Sequence, residues 1–125
     1  MEVKIEKGRA LVLVGAQGCG KSTLARRLAE AEGPYLEISL DQFVSAFQHW
    51  MDRSIKTIIV DGFPTRQSEL AQAISFISAE EIEVNRKMKP VEFMPAPNLI
   101  FCSGYADPLK GLDKHRRRFH VVSMG

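Results

Sequence analysis

The chain has 125 residues, of which 45% are hydrophobic and 26% charged, and its formal net charge is +2. These values are typical of one globular domain with a core, here expected over residues 1–125, and the small charge does not by itself indicate a nucleic-acid-binding protein. No apolar run approaches the roughly 18 residues of a membrane span, and charges interrupt the first apolar stretch, unlike a secretory signal. Cys19 and Cys102 form neither a zinc pattern nor a disulfide framework. We therefore expect a cytoplasmic protein with no membrane partner.

The first half of the chain alternates predicted strands with predicted helices. Residues 10–15 form a short apolar run that ends in glycine, which predicts a strand buried on both faces. Residues 22–34 carry leucine and alanine at helical spacing, and a Gly-Pro pair ends this helix. A second strand is predicted at 35–40, after which Asp41 can cap a second helix. The apolar residues predicted to share one face of that helix are Phe43, Phe47, Trp50 and Met51.

The second half continues the alternation and adds a hairpin. A third helix is predicted with Leu70, Ile74 and Ile77 on its buried side. Residues 82–93 alternate apolar and polar residues on both arms of a basic centre, which predicts a β-hairpin. Short apolar runs predict three more strands, at 56–62, 98–104 and 118–123.

This alternation of strands and helices predicts an α/β fold. We expect a mostly parallel sheet with helices on both faces. Ligands of such sheets bind beyond the carboxyl ends of the strands. The glycine-rich segment after the first strand, Asp61 and Ser103 all lie at those predicted ends. A single site is therefore expected there.

The segment GAQGCGKS, residues 15–22, matches the phosphate-loop pattern G-x-x-x-x-G-K-[ST] between a predicted strand and a predicted helix. Its glycines permit backbone angles and close approaches that side chains would block, and its amides can point at phosphate oxygens. Lys21 is expected to reach the β- and γ-phosphates of ATP, and Ser22 to hold Mg²⁺. Cys19 is interpreted as a space-filling residue, and Thr23 as a neighbour of the α-phosphate. The expected nucleotide-binding residues are Gly15, Gln17, Gly18, Cys19, Gly20, Lys21, Ser22 and Thr23.

Asp61 ends the third predicted strand and is expected to hold Mg²⁺ through a water molecule, opposite Ser22; capping of a turn is the alternative. Vigorous ATPases usually carry a second carboxylate beside this aspartate, which orients the attacking water. Here that position is Gly62, and Glu69 is a weak substitute because it lies inside the next helix. Hydrolysis is therefore slow, or the base comes from elsewhere, or the phosphate is transferred to something other than water.

One resemblance is to nucleotide and small-molecule kinases. The segment DGFP, residues 61–64, resembles the adenylate-kinase signature, although Thr65 here precedes the arginine that follows in that family. The segment ISLDQF, residues 38–43, is similar to the strand-end aspartate and aromatic of uridine-kinase-like enzymes. This resemblance implies a kinase in which Asp41 activates the acceptor hydroxyl, and capping of a helix is the alternative role for Asp41.

A second resemblance covers residues 10–123. Its segments are, in order, GAQGCGKST, YLEISL, TIIVDG, SELAQAISFI, IEVNRKMKPVEF, APNLIFCSG and KHRRRFHVV. This order is similar to that of superfamily 3 helicases and related AAA+-like replication ATPases of viruses, phages and plasmids. The resemblance implies a three-layer P-loop NTPase domain that uses ATP and Mg²⁺. Its mostly parallel five-stranded sheet would have the order 5-1-4-3-2, with a β-hairpin insertion.

The same resemblance implies how the hairpin is used. Arg86, Lys87 and Lys89 would lie at its tip, where this family grips single-stranded DNA or RNA. Point charges on a projecting loop can follow a phosphate backbone without reading sequence. A solvated basic turn is the alternative. A homo-oligomer or a partner replication protein is expected.

Two further roles follow from the resemblance. Ser103 falls where the family senses the γ-phosphate, and Gly104 replaces the asparagine found there. Arg117 matches the arginine that one subunit supplies to the ATP of its neighbour, where it stabilises charge in the transition state. A basic strand edge is the alternative for Arg117.

Three functions remain open on the sequence: a motor-type ATPase, a kinase, and a nucleotide-binding module with little or no catalysis. The position of one strand separates the first two. If the strand at 98–104 lies between the strand at 10–15 and the acidic strand at 56–62, the motor class is favoured. If the acidic strand directly neighbours the strand at 10–15, the kinase class is favoured.

Overall fold

The computed structural model describes residues 3–16, 18–45, 49–104 and 113–124. In chain order the elements are β1 (Ala10–Val14), α1 (Lys21–Glu32), β2 (Tyr35–Ser39), α2 (Leu40–Phe43), β3 (Thr57–Asp61), α3 (Gln67–Ser78), β4 (Glu81–Val84), β5 (Glu92–Pro95), β6 (Asn98–Ser103), a 3₁₀-helix (Asp113–Arg118) and β7 (Phe119–Ser123). Within these ranges no helix has the length and apolar content that crossing a bilayer would require.

Five strands form a parallel sheet in the order β2-β3-β6-β1-β7. β6 lies between β1 and β3, and Ile100 stands in register with Leu11 on one side and Ile59 on the other. The labels differ from the expected 5-1-4-3-2 because the two hairpin strands now enter the count; the same five segments neighbour one another across the sheet. β4 and β5 form a separate antiparallel pair, the hairpin predicted for 82–93.

Hydrophobic cores lie on both faces of the main sheet. On one face, Ala25 and Ala29 of α1 pack in a cluster with Ile100. On the other face, Leu70 of α3 belongs to a cluster that contains Phe101. Because successive strand residues point to opposite faces, a strand covered on both sides must be apolar at every position. This requirement explains the uninterrupted apolar runs in β1, β3 and β6.

Phe101 lies at the centre of this packing. It is fully buried, and its ring stands edge-on to those of Phe43 and Phe63, at centroid distances of 5.7 and 5.4 Å. We expect Phe101→Ala to lower the free energy of unfolding by about 3–5 kcal/mol, because the lost contacts leave a cavity. Urea unfolding measures this. The control is Phe93→Ala at a 58% exposed site, where a change within about 0.5 kcal/mol is expected. Equal losses in the two variants would contradict this description of the core.

The predicted second helix is wrong in extent. α2 ends at Phe43, and Trp50 and Met51 lie in non-helical chain, while Phe47 lies outside the described residues. Side chains take the carbonyls that a longer helix would use. The Trp50 indole N–H donates to the carbonyl of Gln42 (3.1 Å), and the Gln72 amide donates to that of Phe43 (2.7 Å). The apolar residues thus reach the core from a turn, where Trp50 stacks on Phe43 at 6.4 Å.

The cap of α2 also differs from the prediction. The Ser39 hydroxyl accepts from the amide of Gln42 (3.2 Å), and the Gln42 side chain accepts from the amide of Ser39 (3.0 Å). These reciprocal bonds form a capping box, so Ser39 and not Asp41 is the N-cap. Asp41 is instead an exposed residue of the first turn.

α3 buries a slightly different side from the predicted one. Leu70 is buried as expected, but the other buried residues are Ala73 and Phe76. Ile74 and Ile77 are only partly buried at the margin of the core. Since Phe76 is the larger side chain, it takes the central place against Phe43, with ring centroids 5.1 Å apart.

Candidate functional site

The loop between β1 and α1 lies at the carboxyl edge of the sheet, and its glycines are needed for geometric reasons. Gly18 and Gly20 have φ angles of 86° and 93°, in the left-handed region that favours glycine. At Gly15 a side chain has no room, since a Cβ would lie 2.6 Å from the Cys19 sulfur and 2.8 Å from the carbonyl oxygen of Met124. The sulfur of Cys19 thus occupies the space that a side chain at position 15 would need.

The amino end of α1 opens onto this loop. The helix starts at Lys21, whose ammonium group donates to the carbonyl of Gly15 across the loop. Its cap residue, Gly20, offers no side-chain acceptor to the first amides. Free amides at the amino end of a helix, together with its dipole and a lysine, make a favourable place for an anion such as phosphate.

A cleft of about 600 Å³ lies beside the loop. Parallel pairing brings its walls together, because Asp61 at the end of β3 stands in register with Cys102 near the end of β6. Ser22, Thr23 and Asp61 are exposed to the cleft. The lining residues are Gly18, Gly20, Lys21, Ser22, Thr23, Asp61, Cys102 and Gly104. Gln17, also expected in this loop, lies outside the described residues.

Ser22 and Asp61 line the same cleft and form the candidate metal site. Nowhere in the described part of the chain do three or more His, Cys, Asp or Glu residues cluster as metal ligands. Mg²⁺ in nucleotide sites commonly takes one or two protein oxygens and completes its shell with phosphate oxygens and water. A hydroxyl and a carboxylate therefore fit Mg²⁺ that arrives with a phosphate-bearing ligand.

Cys102, and not Ser103, lines the cleft. Strand alternation directs Cys102 to the α1 face, and Ser103 is 2% exposed, with its carbonyl accepting from the amide of Gly15 (3.2 Å). Burial, and then the nearby Asp61 carboxylate, raise the pKa of the Cys102 thiol to about 11. The thiol is thus neutral near pH 7 and a poor nucleophile. The sequence analysis missed Cys102, although the alternation within 98–103 was the signal that could have found it.

Position 62, where a motor would carry a second carboxylate, requires glycine here. Gly62 has φ of 121°, and a Cβ would lie 3.1 Å from the Cβ of Leu40. Any other residue would be strained in this conformation. Glu69 does not replace the carboxylate, because it accepts from the amide of Arg66 (3.3 Å) at the start of α3. Neither position supplies a general base to the cleft.

Asp41 is not among the residues that line the cleft. It lies in α2, directly after β2, at the edge of the sheet. β3 and β6 separate that strand from β1 and the glycine loop.

At the hairpin, the three basic residues have different environments. Lys87 and Lys89 are exposed in the turn between β4 and β5. Arg86 is partly buried, its guanidinium donates to the carbonyl of Met51, and it lies 3.5 Å from a carboxylate oxygen of Glu92. Arg86 therefore attaches the hairpin to the body of the domain, while the two lysines face solvent.

We expect Arg86→Ala to lower the free energy of unfolding by about 1.5–3 kcal/mol, since a charged group loses a backbone acceptor 35 residues away. The ion pair with the exposed Glu92 carboxylate adds little. Urea unfolding of Arg86→Ala and of the control Lys87→Ala tests this, with a change within about 0.5 kcal/mol expected for the lysine. If Arg86→Ala is as stable as Lys87→Ala, Arg86 does not anchor the hairpin to the body of the domain.

Arg117 lies at the opposite edge of the sheet from the cleft. It is exposed in the 3₁₀-helix that precedes β7, and β7 runs parallel to β1 with Phe119 beside Ala10. The length of a five-residue strand, roughly 16 Å, separates this edge from the glycine loop. Arg117 is therefore too distant to act on the cleft of its own chain.

The fold and the carboxyl edge of the sheet define an α/β protein in which a glycine-rich loop, the amino end of a helix and an acidic strand end share one cleft. Residues 13–118 match the family described as "Family of unknown function (DUF5906)". The chain belongs to that family.

Other similarities are more limited. The chain is 36% identical over 69 residues to shikimate kinase 2 of Dickeya chrysanthemi, a match that covers 52% of this chain and 38% of the kinase. Among solved structures, the A form apo structure of the NrS-1 C terminal region (305–718) has a TM-score of 0.71 at 21% identity. That match covers 95% of this chain and 29% of the solved one. A second apo structure of the region has a TM-score of 0.73 at 20% identity. The chain therefore shares its fold with under a third of that region.

Proposed function

We propose that this chain binds ATP with Mg²⁺ and hydrolyses it as an ATPase of the helicase-like, AAA+-like motor class, acting in nucleic-acid replication or remodelling. The observation that carries the proposal is the position of β6 between β1 and the acidic strand β3. That arrangement was the one expected for the motor class. The phosphate-loop pattern beside a cleft of about 600 Å³ supports it.

In this proposal each part of the cleft has one task. The amides of the loop and of the first turn of α1 hold phosphate oxygens, and the Lys21 ammonium neutralises the β- and γ-phosphates. Ser22 and Asp61 would hold Mg²⁺, which supplies charge neutralisation on the phosphates when bound. Because Gly62 and Gly104 bring no carboxylate or amide side chain, the isolated chain turns over slowly. Arg117 acts on the cleft of a neighbouring copy or of a partner replication protein.

The hairpin is the proposed contact with single-stranded DNA or RNA. The exposed ammonium groups of Lys87 and Lys89 contact phosphates, and Arg86 keeps the hairpin in position through Met51 and Glu92. A fixed hairpin allows movements of the domain to be transmitted to a bound strand.

Turnover measurements test this function. ATP hydrolysis should rise on addition of oligo(dT) or oligo(U), and the double variant Lys87→Ala/Lys89→Ala should lose the rise and keep the basal rate. Lys7→Ala, at the other edge of the sheet, is the matched control and should respond as the wild type does. A rate of ATP hydrolysis that does not change when single-stranded nucleic acid is added at low salt would contradict the motor function.

A kinase is the second candidate, and the 36% identity to shikimate kinase 2 over 69 residues favours it. Its proposed base is Asp41, which would need an acceptor bound beyond the cleft walls described above. Incubation with labelled ATP and shikimate, nucleosides or nucleotides detects such transfer. Phosphorylated product that Asp41→Ala abolishes would replace the motor function.

A nucleotide-binding module with little or no catalysis is the third candidate. The lack of a carboxylate at Gly62 and the hydrogen bond that Glu69 makes at the start of α3 favour it. ATP binding that depends on Lys21, without turnover in the presence of oligonucleotides or of any acceptor in the panel, would identify this function.

A further inference from the structure

The exposed large hydrophobic residues of the described chain all lie on the hairpin. Met88, Val91 and Phe93 are 96%, 46% and 58% exposed. Single exposed apolar residues are common on protein surfaces, but neighbouring ones in one short segment mark an interaction surface. Met94 and Val84 of the same two strands are buried in the core. The hairpin therefore has apolar side chains on both of its faces, although only one face packs on the domain.

The register of the two strands fixes which side chains face solvent. Met94 stands opposite Ile82, and both belong to the core cluster beneath the hairpin. Phe93 stands opposite Glu83 on the other face. Because a slip of one residue would turn the buried side chains of a strand to solvent, the core packing keeps Phe93 and Glu83 side by side outside.

The charges on this outward side change sign along the hairpin. Glu81 and Glu83 are exposed on β4, at the root where the hairpin joins the rest of the domain. Lys87 and Lys89 are exposed in the turn at the tip. The outward hairpin face is thus acidic at its root, cationic at its tip and apolar along β5. We define it as Glu83, Lys87, Met88, Lys89, Val91 and Phe93.

We propose that the outward hairpin face binds the same face of a second copy of this chain in an antiparallel, two-fold arrangement. The tip of one hairpin then lies over the root of the other, so Lys87 of each copy meets Glu83 of the second copy. The Phe93 ring packs against the apolar residues near the tip of the second copy, Met88 and Val91. A two-fold interface is self-complementary, because each contact occurs twice with the roles of the two copies exchanged.

The charge pattern favours this occupant over others. A parallel arrangement of two copies would set lysines against lysines and acids against acids, whereas the antiparallel one pairs unlike charges at both ends. Nucleic-acid phosphates or an anionic membrane would be attracted at the tip but repelled at Phe93, because Glu83 stands directly across from that ring. Only a second copy brings opposite charges to both the lysines and the acid.

The small size of the face predicts a weak and reversible dimer. Standard stable interfaces use about 20–30 residues on each side, many more than the outward hairpin face offers. This inference goes beyond the proposed function and does not depend on ATP. Lys87 and Lys89 would serve both a second copy and a single strand, so the two partners exclude each other at the tip.

Sedimentation velocity at low salt, from about 10 µM to about 1 mM protein, covers the range of a weak dimer and measures the association. The wild type should shift from monomer to dimer across this range. Phe93→Ala and Glu83→Lys should each weaken dimerisation about ten-fold or more, because a two-fold interface loses the contact twice. The matched control is Glu32→Lys, at an exposed site of α1 on the other face of the main sheet, and it should associate as the wild type does.

Exchange of the two charges tests the antiparallel arrangement. Lys87→Glu alone should weaken dimerisation as Glu83→Lys does. An equal mixture of these two variants should recover the wild-type association, because each copy then brings the charge that the other lacks. The double variant Glu83→Lys/Lys87→Glu should also recover it. A mixture that stays monomeric, or single variants that dimerise as the wild type does, would overturn the arrangement.

Two further results would overturn the inference. One is a wild-type protein that stays monomeric at about 1 mM, the upper end of the range for a weak dimer, whether or not its ATP turnover responds to oligo(dT). If Phe93→Ala then lowers binding to anionic lipid vesicles, the face contacts a membrane instead. The other is a dimer that Phe93→Ala leaves unchanged while urea unfolding shows the variant to be folded. Dimerisation with the expected variant effects, but with turnover that does not respond to oligo(dT), supports this inference and contradicts only the proposed function.

Discussion

Lys21→Ala is expected to weaken ATP binding about ten- to hundred-fold. Lys21 is the first residue of α1, and its ammonium group donates to the carbonyl of Gly15 across the loop that is proposed to hold the phosphates. A hydrogen bond to a charged partner contributes about 1.5–3 kcal/mol, and 1.4 kcal/mol corresponds to a factor of ten in affinity. Isothermal titration with ATP and Mg²⁺ measures the change.

Two controls accompany this variant. Lys7→Ala removes an equal charge at the other edge of the sheet and should bind ATP as the wild type does. Thermal unfolding should show that all three proteins are folded at the titration temperature, with a lower midpoint for Lys21→Ala because it loses the hydrogen bond to the carbonyl of Gly15. If Lys21→Ala binds ATP with wild-type affinity, ATP does not bind at the glycine loop. The three proposed functions, which all require that binding, would then be contradicted.

The strands could be predicted because the physics that forms them is local. A parallel strand covered on both faces must be apolar throughout, and β1, β3 and β6 are short apolar runs that end in glycine or a polar residue. The hairpin could be predicted for a related reason, since only one face of β4 is buried and its residues alternate.

Helix α2 could not be predicted in extent, because its end depends on distant side chains. Its last carbonyls accept from the side chains of Trp50 and Gln72, besides the amide of Ser45, and Gln72 lies 29 residues beyond its acceptor. Arg86 is a similar case. Its sequence neighbours are basic and exposed, while its own partner, the carbonyl of Met51, lies 35 residues earlier in the chain. Spacing within a segment carries no information about such contacts.

The structure explains why position 62 is a glycine. Its amide donates to the carbonyl of Cys102 (2.9 Å), so the backbone there continues the pairing of β3 with β6. Leu40 lies where a side chain would begin. A carboxylate cannot be added at this position without strain, so position 62 supplies no base for hydrolysis.

Asp61→Asn is expected to reduce ATP affinity about ten-fold or more when Mg²⁺ is present, and to leave it equal or slightly higher in EDTA. The substitution removes the carboxylate proposed to hold the metal with Ser22, but it also removes a negative charge beside the phosphates. A role in folding alone would change both titrations in the same direction. The two effects of Asp61 can therefore be separated with one variant and two buffers.

Asp41→Asn is the matched control, because it makes the same substitution in an exposed aspartate outside the cleft. Its affinity for ATP should equal that of the wild type in both buffers, since no phosphate or metal in the cleft would lie against it. Equal Mg²⁺-specific losses in the two variants would mean that the metal lies between α2 and the end of β3, where a kinase acceptor would bind. A loss confined to Asp61→Asn assigns the metal to the strand end that every proposed function requires.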